Sequence, residues 1–242
     1  MSINVQALSR SFGRQKAVDA VSFSATPGRV LGFLGPNGAG KSTTMKMLTG
    51  YLSPDSGTAT ISGFDVQGDP AEVRRRIGYL PENNPLYTDL YVREALLFFA
   101  GVHRLHDPER KIDAVIDRVG LTPERHKKIA QLSKGYRQRV GLAQAILHDP
   151  EVLIFDEPTT GLDPNQLVGI RALIRELGRN KTVVLSTHIM QEVEAVCDDV
   201  VIISRGKIVA ADDLQILKEK HGGKSLENIF HEVTRSNELL GY

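Results

Sequence analysis

Two short stretches hold the residue types best suited to chemistry. Gly35-Pro36-Asn37-Gly38-Ala39-Gly40-Lys41-Ser42-Thr43 fits the pattern G-x-x-x-x-G-K-[ST]. Its glycines let the backbone wrap so that N–H groups converge on phosphate oxygens. Lys41 is spaced to reach β- and γ-phosphates, and the Ser42 hydroxyl to ligate Mg²⁺. The second stretch, Val152-Leu153-Ile154-Phe155-Asp156-Glu157, ends an apolar run in two adjacent carboxylates. Asp156 suits a hydrated Mg²⁺, and Glu157 suits polarising a water against a γ-phosphorus. The pair predicts a nucleoside-triphosphate site.

Such a site needs strands to aim the side chains and helices to receive phosphate. Val30-Leu31-Gly32-Phe33-Leu34, Val152–Phe155 and Val183-Val184-Leu185 read as buried strands of a parallel sheet covered on both faces. The phosphate loop follows the first and opens a helix whose positive end would face the ligand. Ligands in open α/β sheets sit beyond the carboxyl ends of strands, where Asp156 and Glu157 fall. The strand over residues 182–186 ends at the same edge in Thr187-His188. Asp107-Pro108 and Asp163-Pro164 predict N-capped helices, with apolar sets Ile112, Val115, Ile116, Val119 and Leu167, Ile170, Ile174, Leu177. Residues 1–29 and 56–66, rich in Val, Thr, Ser and Gly, predict antiparallel strands. Residues 88–147 predict helices only, and the Lys/Glu-rich tail from about Asp212 a small helical appendix.

Composition sets the class. The 242 residues give a soft prior of about 1.6 domains. A sum of 30 basic and 29 acidic side chains leaves +1, no electrostatic reason to expect nucleic acid as a partner. The single Cys197 forms no intrachain disulfide, and residues 95–102, the longest strongly apolar run, fall far short of the roughly 18–20 a membrane span needs. With no signal-peptide pattern at the start, the expectation is a soluble, cytosolic α/β protein.

Leu132-Ser133-Lys134-Gly135-Tyr136-Arg137-Gln138-Arg139 resembles the signature of ATP-binding cassette (ABC) proteins and precedes the acidic pair at the expected distance. The resemblance spans about residues 3–212. It implies a RecA-like P-loop core, an N-terminal antiparallel β subdomain and an inserted helical subdomain. The divisions are residues 1–87 with 148–212, residues 88–147, and a helical tail at 213–242. Phe12 resembles the aromatic on which adenine stacks, Asp163 of Gly161-Leu162-Asp163 the D-loop, and His188 the switch histidine. The resemblance further implies a head-to-tail homodimer in which one copy's phosphate loop holds ATP against Ser133 and Gly135 of the other. Ser133 can cap a helix whose N-terminus faces the γ-phosphate.

Lys134 and Tyr136 stand where the family pattern has glycine and glutamine. Glu82, in Gly78-Tyr79-Leu80-Pro81-Glu82, replaces the usual Q-loop glutamine. Glu82 retains an oxygen for Mg²⁺ or water but cannot donate as an amide does; its plain alternative is to open a helix. Together with Asn84-Pro85-Leu86-Tyr87 and the tail Ser225-Leu226-Glu227-Asn228-Ile229-Phe230, these stretches resemble bacterial ABC-2-type export cassettes. That implies an ATPase at the inner face of the cytoplasmic membrane, serving a separate permease. The docking surface would run from Asn83 to Tyr91, with Tyr87 and Tyr91 as contacts or, alternatively, core aromatics. The competing class is a non-transport ABC ATPase of DNA maintenance or translation. Such chains carry a long coiled-coil insertion or a second cassette, whereas Ser42 and Ser133 are only 91 residues apart here. A small-molecule kinase would not need the signature. Arg74-Arg75-Arg76, the one basic triplet, reads as a solvated helix face.

Overall fold

The three apolar runs become neighbours in one sheet. The structure, a computed structural model, describes residues 1–239. Two long strands, β1 (Ile3–Phe12) and β2 (Gln15–Ala25), precede β3 (Val30–Leu34), the phosphate loop and α1 (Lys41–Leu48). Then come β4 (Ser56–Ile61), β5 (Phe64–Asp65), α2 (Pro70–Arg76) and β6 (Ile77–Leu80). Helices α3 (Val92–Val102), α4 (Pro108–Arg118) and α5 (Lys134–Ile146) follow with no strand between them. The chain returns through β7 (Val152–Asp156), α6 (Pro164–Gly178), β8 (Thr182–Thr187), α7 (Met190–Val196), β9 (Asp199–Ser204) and β10 (Lys207–Asp213). It ends in α8 (Leu214–Lys220) and α9 (Leu226–Leu239). Residues 240–242 of the expected tail lie outside the described residues.

The main sheet has the order β10-β9-β3-β8-β7-β6, parallel except for β10. Every residue of β3, β7 and β8 is buried, as two covered faces require. The second sheet, β2-β1-β4-β5, is antiparallel. It shares one core with α1 through Ile3, Leu8, Phe33, Met45 and Leu48. The other face of the main sheet packs on α3 to α6 through Leu96, Ile116, Val140 and Ile174. A third cluster seats α9 against β9 and its neighbours through Leu226 and Ile229. Burying a side chain of this kind contributes about 1.5–3 kcal/mol, so the appendix is anchored.

One helix start departs from expectation. Asp163 caps α6, accepting from the Gln166 N–H at 3.0 Å. Asp107 does not cap α4: its backbone is left-handed, at φ +51°, and its carboxylate receives no N–H of the first turn. Pro108 still supplies the helical φ at the first position, so α4 begins where predicted. Glu82 opens no helix, because α3 starts only at Val92.

Candidate functional site

The phosphate loop turns through left-handed backbone at Gly38 (φ +78°) and Gly40 (φ +108°). At Gly40 a Cβ would lie 2.4 Å from the Ala17 carbonyl oxygen, so only glycine fits between this loop and β2. Helix α1 then begins at Lys41 itself, pointing its free N–H groups into the loop. The Lys41 ammonium donates to the carbonyls of Gly35 (2.9 Å) and Pro36 (3.2 Å) and lies 3.3 Å from a Glu157 carboxylate oxygen. Both side chains are almost sealed, at 6% and 5% exposure.

Parallel pairing of β7 with β8 sets Asp156 opposite Ser186. The Ser186 hydroxyl donates to Asp156, and Ser42 Oγ donates to the same carboxylate oxygen at 3.1 Å. Burial pushes the Asp156 carboxyl above its ordinary range, against the two donated hydrogen bonds. A bound dication would favour the ionised form. Hydroxyl and carboxylate oxygens around a buried acid are donors that suit Mg²⁺, so these residues fit the ion.

Glu157 follows at φ +51°, a strained conformation for a residue with a side chain. Its amide donates to Ser186, and its carboxylate accepts from Thr160 Oγ1 at 3.2 Å. His188 Nδ1 sits 2.9 Å and 3.0 Å from the two Glu157 oxygens. The turn after β7 thus aims a carboxylate at the phosphate loop, with a cation on one side and an imidazole on the other. Asn37, Gly38, Thr43 and Ala17 line the ≈ 250 Å³ cavity above Lys41 and Ser42.

Glu82 borders this cavity and also an adjoining one lined by Ser42 and Asp156. It stands at the rim and makes no hydrogen bond to either. Ala39 is buried beneath the loop. Phe12 is half exposed at the β1–β2 turn, with Arg10 against its ring, and does not line the cavity. Ser133 caps α5, accepting from the Tyr136 N–H at 3.4 Å. Ser133, Gly135 and Asp163 all lie outside the cavity of their own chain. Lys134 lies over the Gly161 backbone, and the Gln166 amide covers Gly135.

Sequence reasoning missed Ser186, Thr160 and Gln166. Ser186 is one more serine near the end of an apolar strand, and only its register with Asp156 reveals it. Thr160 had a local signal, three residues after Glu157 in a tight turn.

The chain that carries this loop and acidic pair has counterparts among known proteins. The family profile described as ABC transporter matches residues 18–160. The chain belongs to that family. ABC transporter ATP-binding protein NatA of Bacillus subtilis (strain 168) is 39% identical over 219 residues, covering 89% of each chain. Bacitracin transport ATP-binding protein BcrA of Bacillus licheniformis is 41% identical over 216 residues, covering 88% of this chain and 70% of BcrA. A solved ATP-binding subunit of an ABC transporter superposes with TM-score 0.88 at 31% identity, covering 97% of this chain and all of that one. A dimeric bacterial ABC transporter cassette, at 23% identity and TM-score 0.81, shares the fold. The α/β class with an antiparallel subdomain is therefore that of ABC ATPases, and ATP is the family's ligand.

The ABC cassette has a second concavity away from the phosphate loop. A groove of ≈ 590 Å³ runs between the end of α1, the segment after β6, α3 and α5. Tyr51, Phe99, Val102 and Pro85 line it, with His103 and His148 stacked 3.8 Å apart. Beside it Tyr87 packs edge-on against Phe98, both more than half exposed. Tyr91 is 42% exposed, so neither tyrosine belongs to the core. Among the described residues no helix is long and apolar enough to cross a membrane.

Proposed function

We propose that this cassette is the ATP-hydrolysing subunit of a bacterial exporter of the ABC-2 type, working as a homodimer on a separate permease. The supporting observation is the convergence of Lys41, Glu157 and His188 beside the Ser42–Asp156 pair. Lys41 offsets charge on the β- and γ-phosphates. The backbone N–H groups of residues 35–43 cradle the same oxygens, and the start of α1 adds its partial positive charge. Ser42 and Asp156 hold Mg²⁺, which screens the triphosphate charge, and Glu82 offers a further oxygen from the rim. Glu157 accepts the proton of the attacking water. His188 fixes both Glu157 oxygens and turns the carboxylate toward the reacting phosphorus.

The cassette by itself leaves Ser133, Gly135 and Asp163 away from the cavity. In a head-to-tail pair the second copy's Ser133 hydroxyl and α5 N-terminus would close over the γ-phosphate, with its Asp163 loop beside them. Phe12 would stack on adenine at the open side. We divide the cassette into a catalytic core with β subdomain (1–87 and 148–212), a helical subdomain (88–147) and a C-terminal appendix (213–242). The permease docks on the groove and on the surface from Asn83 to Tyr91, where Tyr87 and Phe98 stand exposed. This puts the cassette on the inner face of the cytoplasmic membrane. Bacitracin transport and Nod factor export in the names of relatives support an export direction.

Purification from detergent extracts of its native host, with mass spectrometry of what comes with it, tests this. A polytopic membrane protein that stimulates ATP hydrolysis is expected. Recovery with ribosomes or nucleic acid, and no membrane protein, would overturn the transport role.

A further inference from the structure

The groove is apolar, yet its charge is one-sided. The charged residues of its lining are Arg74 and Arg75, with no aspartate or glutamate, while burial holds His103 and His148 toward the neutral form. The three arginines at the end of α2 are differently engaged. Arg75 and Arg76 both pair with Glu72 at 2.6 Å, and Arg76 also stacks over the Phe64 ring at 4.0 Å. Arg74 is exposed and has no acidic partner among the described residues, although it lies on the groove wall. A guanidinium beside an apolar wall is held near low-dielectric surface, where a bidentate carboxylate is its strongest partner.

We infer that Arg74 recognises a carboxylate on the cytoplasmic helix of the permease that occupies this groove. The inference rests on the docking proposed above and adds the chemistry of the occupant. Phe99, Val102 and Tyr51 take apolar side chains spaced i, i+3, i+4 along one helix face. An Asp or Glu on the same helix meets Arg74, and Arg75 adds positive potential behind it. The apolar contacts supply affinity; the charge fixes which way the helix lies in the groove. An anionic lipid headgroup would satisfy a guanidinium too. It would not fill a groove of ≈ 590 Å³ walled by aromatic and aliphatic side chains.

The test uses the cassette and the membrane subunit recovered with it, reconstituted in phosphatidylcholine vesicles. Protein-free vesicles with and without phosphatidylglycerol serve as the lipid arm. Arg74→Glu should weaken binding to permease vesicles by tenfold or more, with the thermal midpoint of the cassette unchanged. Arg74→Lys should lose less, keeping charge without the fork. One acidic residue in a permease cytoplasmic loop, changed to Arg, should restore binding to the Arg74→Glu cassette. Equal binding by Arg74→Glu and wild type overturns the inference. So does the absence of any rescuing acidic position. A loss confined to phosphatidylglycerol vesicles would assign Arg74 to lipid instead. Val102→Asp separates the two levels: if it too leaves permease binding intact, the groove is not the docking site, and the docking proposal falls with the inference.

Discussion

Replacing Glu157 with Gln removes one proton acceptor and leaves the shape of the site. Glutamine can still accept from Thr160 Oγ1, now 3.2 Å from the carboxylate, and from the His188 ring at 2.9 Å. Losing a positioned general base lowers turnover by about 10²–10⁴, equivalent to roughly 2.7–5.5 kcal/mol of barrier. The ground state changes less. Lys41 loses its carboxylate at 3.3 Å but keeps the Gly35 and Pro36 carbonyls. Destabilisation should therefore stay below the roughly 3–5 kcal/mol seen when a buried ion is left with no partner. Nucleotide affinity should hold or rise, because a negative charge beside the phosphate cavity is gone. Phosphate release under saturating ATP measures the first effect, equilibrium dialysis of ATP the second, and urea unfolding the third. Turnover within about threefold of wild type would refute the assignment of Glu157 as base. A fall in affinity as large as the fall in rate would show that Glu157 acts only by holding Lys41.

Three other outcomes follow from particular contacts. Lys41→Ala should abolish measurable ATP binding by equilibrium dialysis, since no second ammonium lines the cavity. Gly78→Ala would put a Cβ 2.0 Å from the Ala145 carbonyl oxygen and 2.8 Å from Leu153, forcing α5 off the sheet. A loss of about 2–3 kcal/mol in urea unfolding is expected, at the upper end of overpacking effects. His148, half-buried and stacked on His103, is pushed down to about 4 by desolvation first and by His103 second, against its bond to the Ile77 carbonyl. The unfolded chain takes that proton near pH 6.5 and the folded one only near 4. Stability therefore falls as pH drops through this window, by about 1–2 kcal/mol at pH 5, and His148→Gln should flatten the loss.

The elements were legible in the sequence because each had a local cause. Continuous apolar runs made β3, β7 and β8, and Pro164 behind Asp163 made the start of α6. Lys41, Ser42, Asp156 and Glu157 were legible for the same reason: each ends or begins an element whose direction sets its aim. Ser186 was not, since its role comes from strand register across a crossover. Asp107 looked like a cap by type, but its left-handed backbone turned the carboxylate away. The groove was hidden as well, because its walls come from four separated segments. From Arg74, Arg75 and Arg76 in line, nothing showed that Glu72 and Phe64 would engage the last two and leave Arg74 on a groove wall.

The backbone at Glu157 has a consequence for how this protein tolerates change. A left-handed residue with a side chain costs about 1–2 kcal/mol relative to glycine, which adopts that conformation freely. Glu157→Gly would release that strain but leave the buried Lys41 ammonium without its carboxylate, so stability should not rise while turnover is eliminated. The contacts with Lys41, Thr160 and His188 therefore hold the turn after β7 in a conformation that its backbone alone would leave. The side chain aimed at the phosphate loop is also what keeps its own backbone in place.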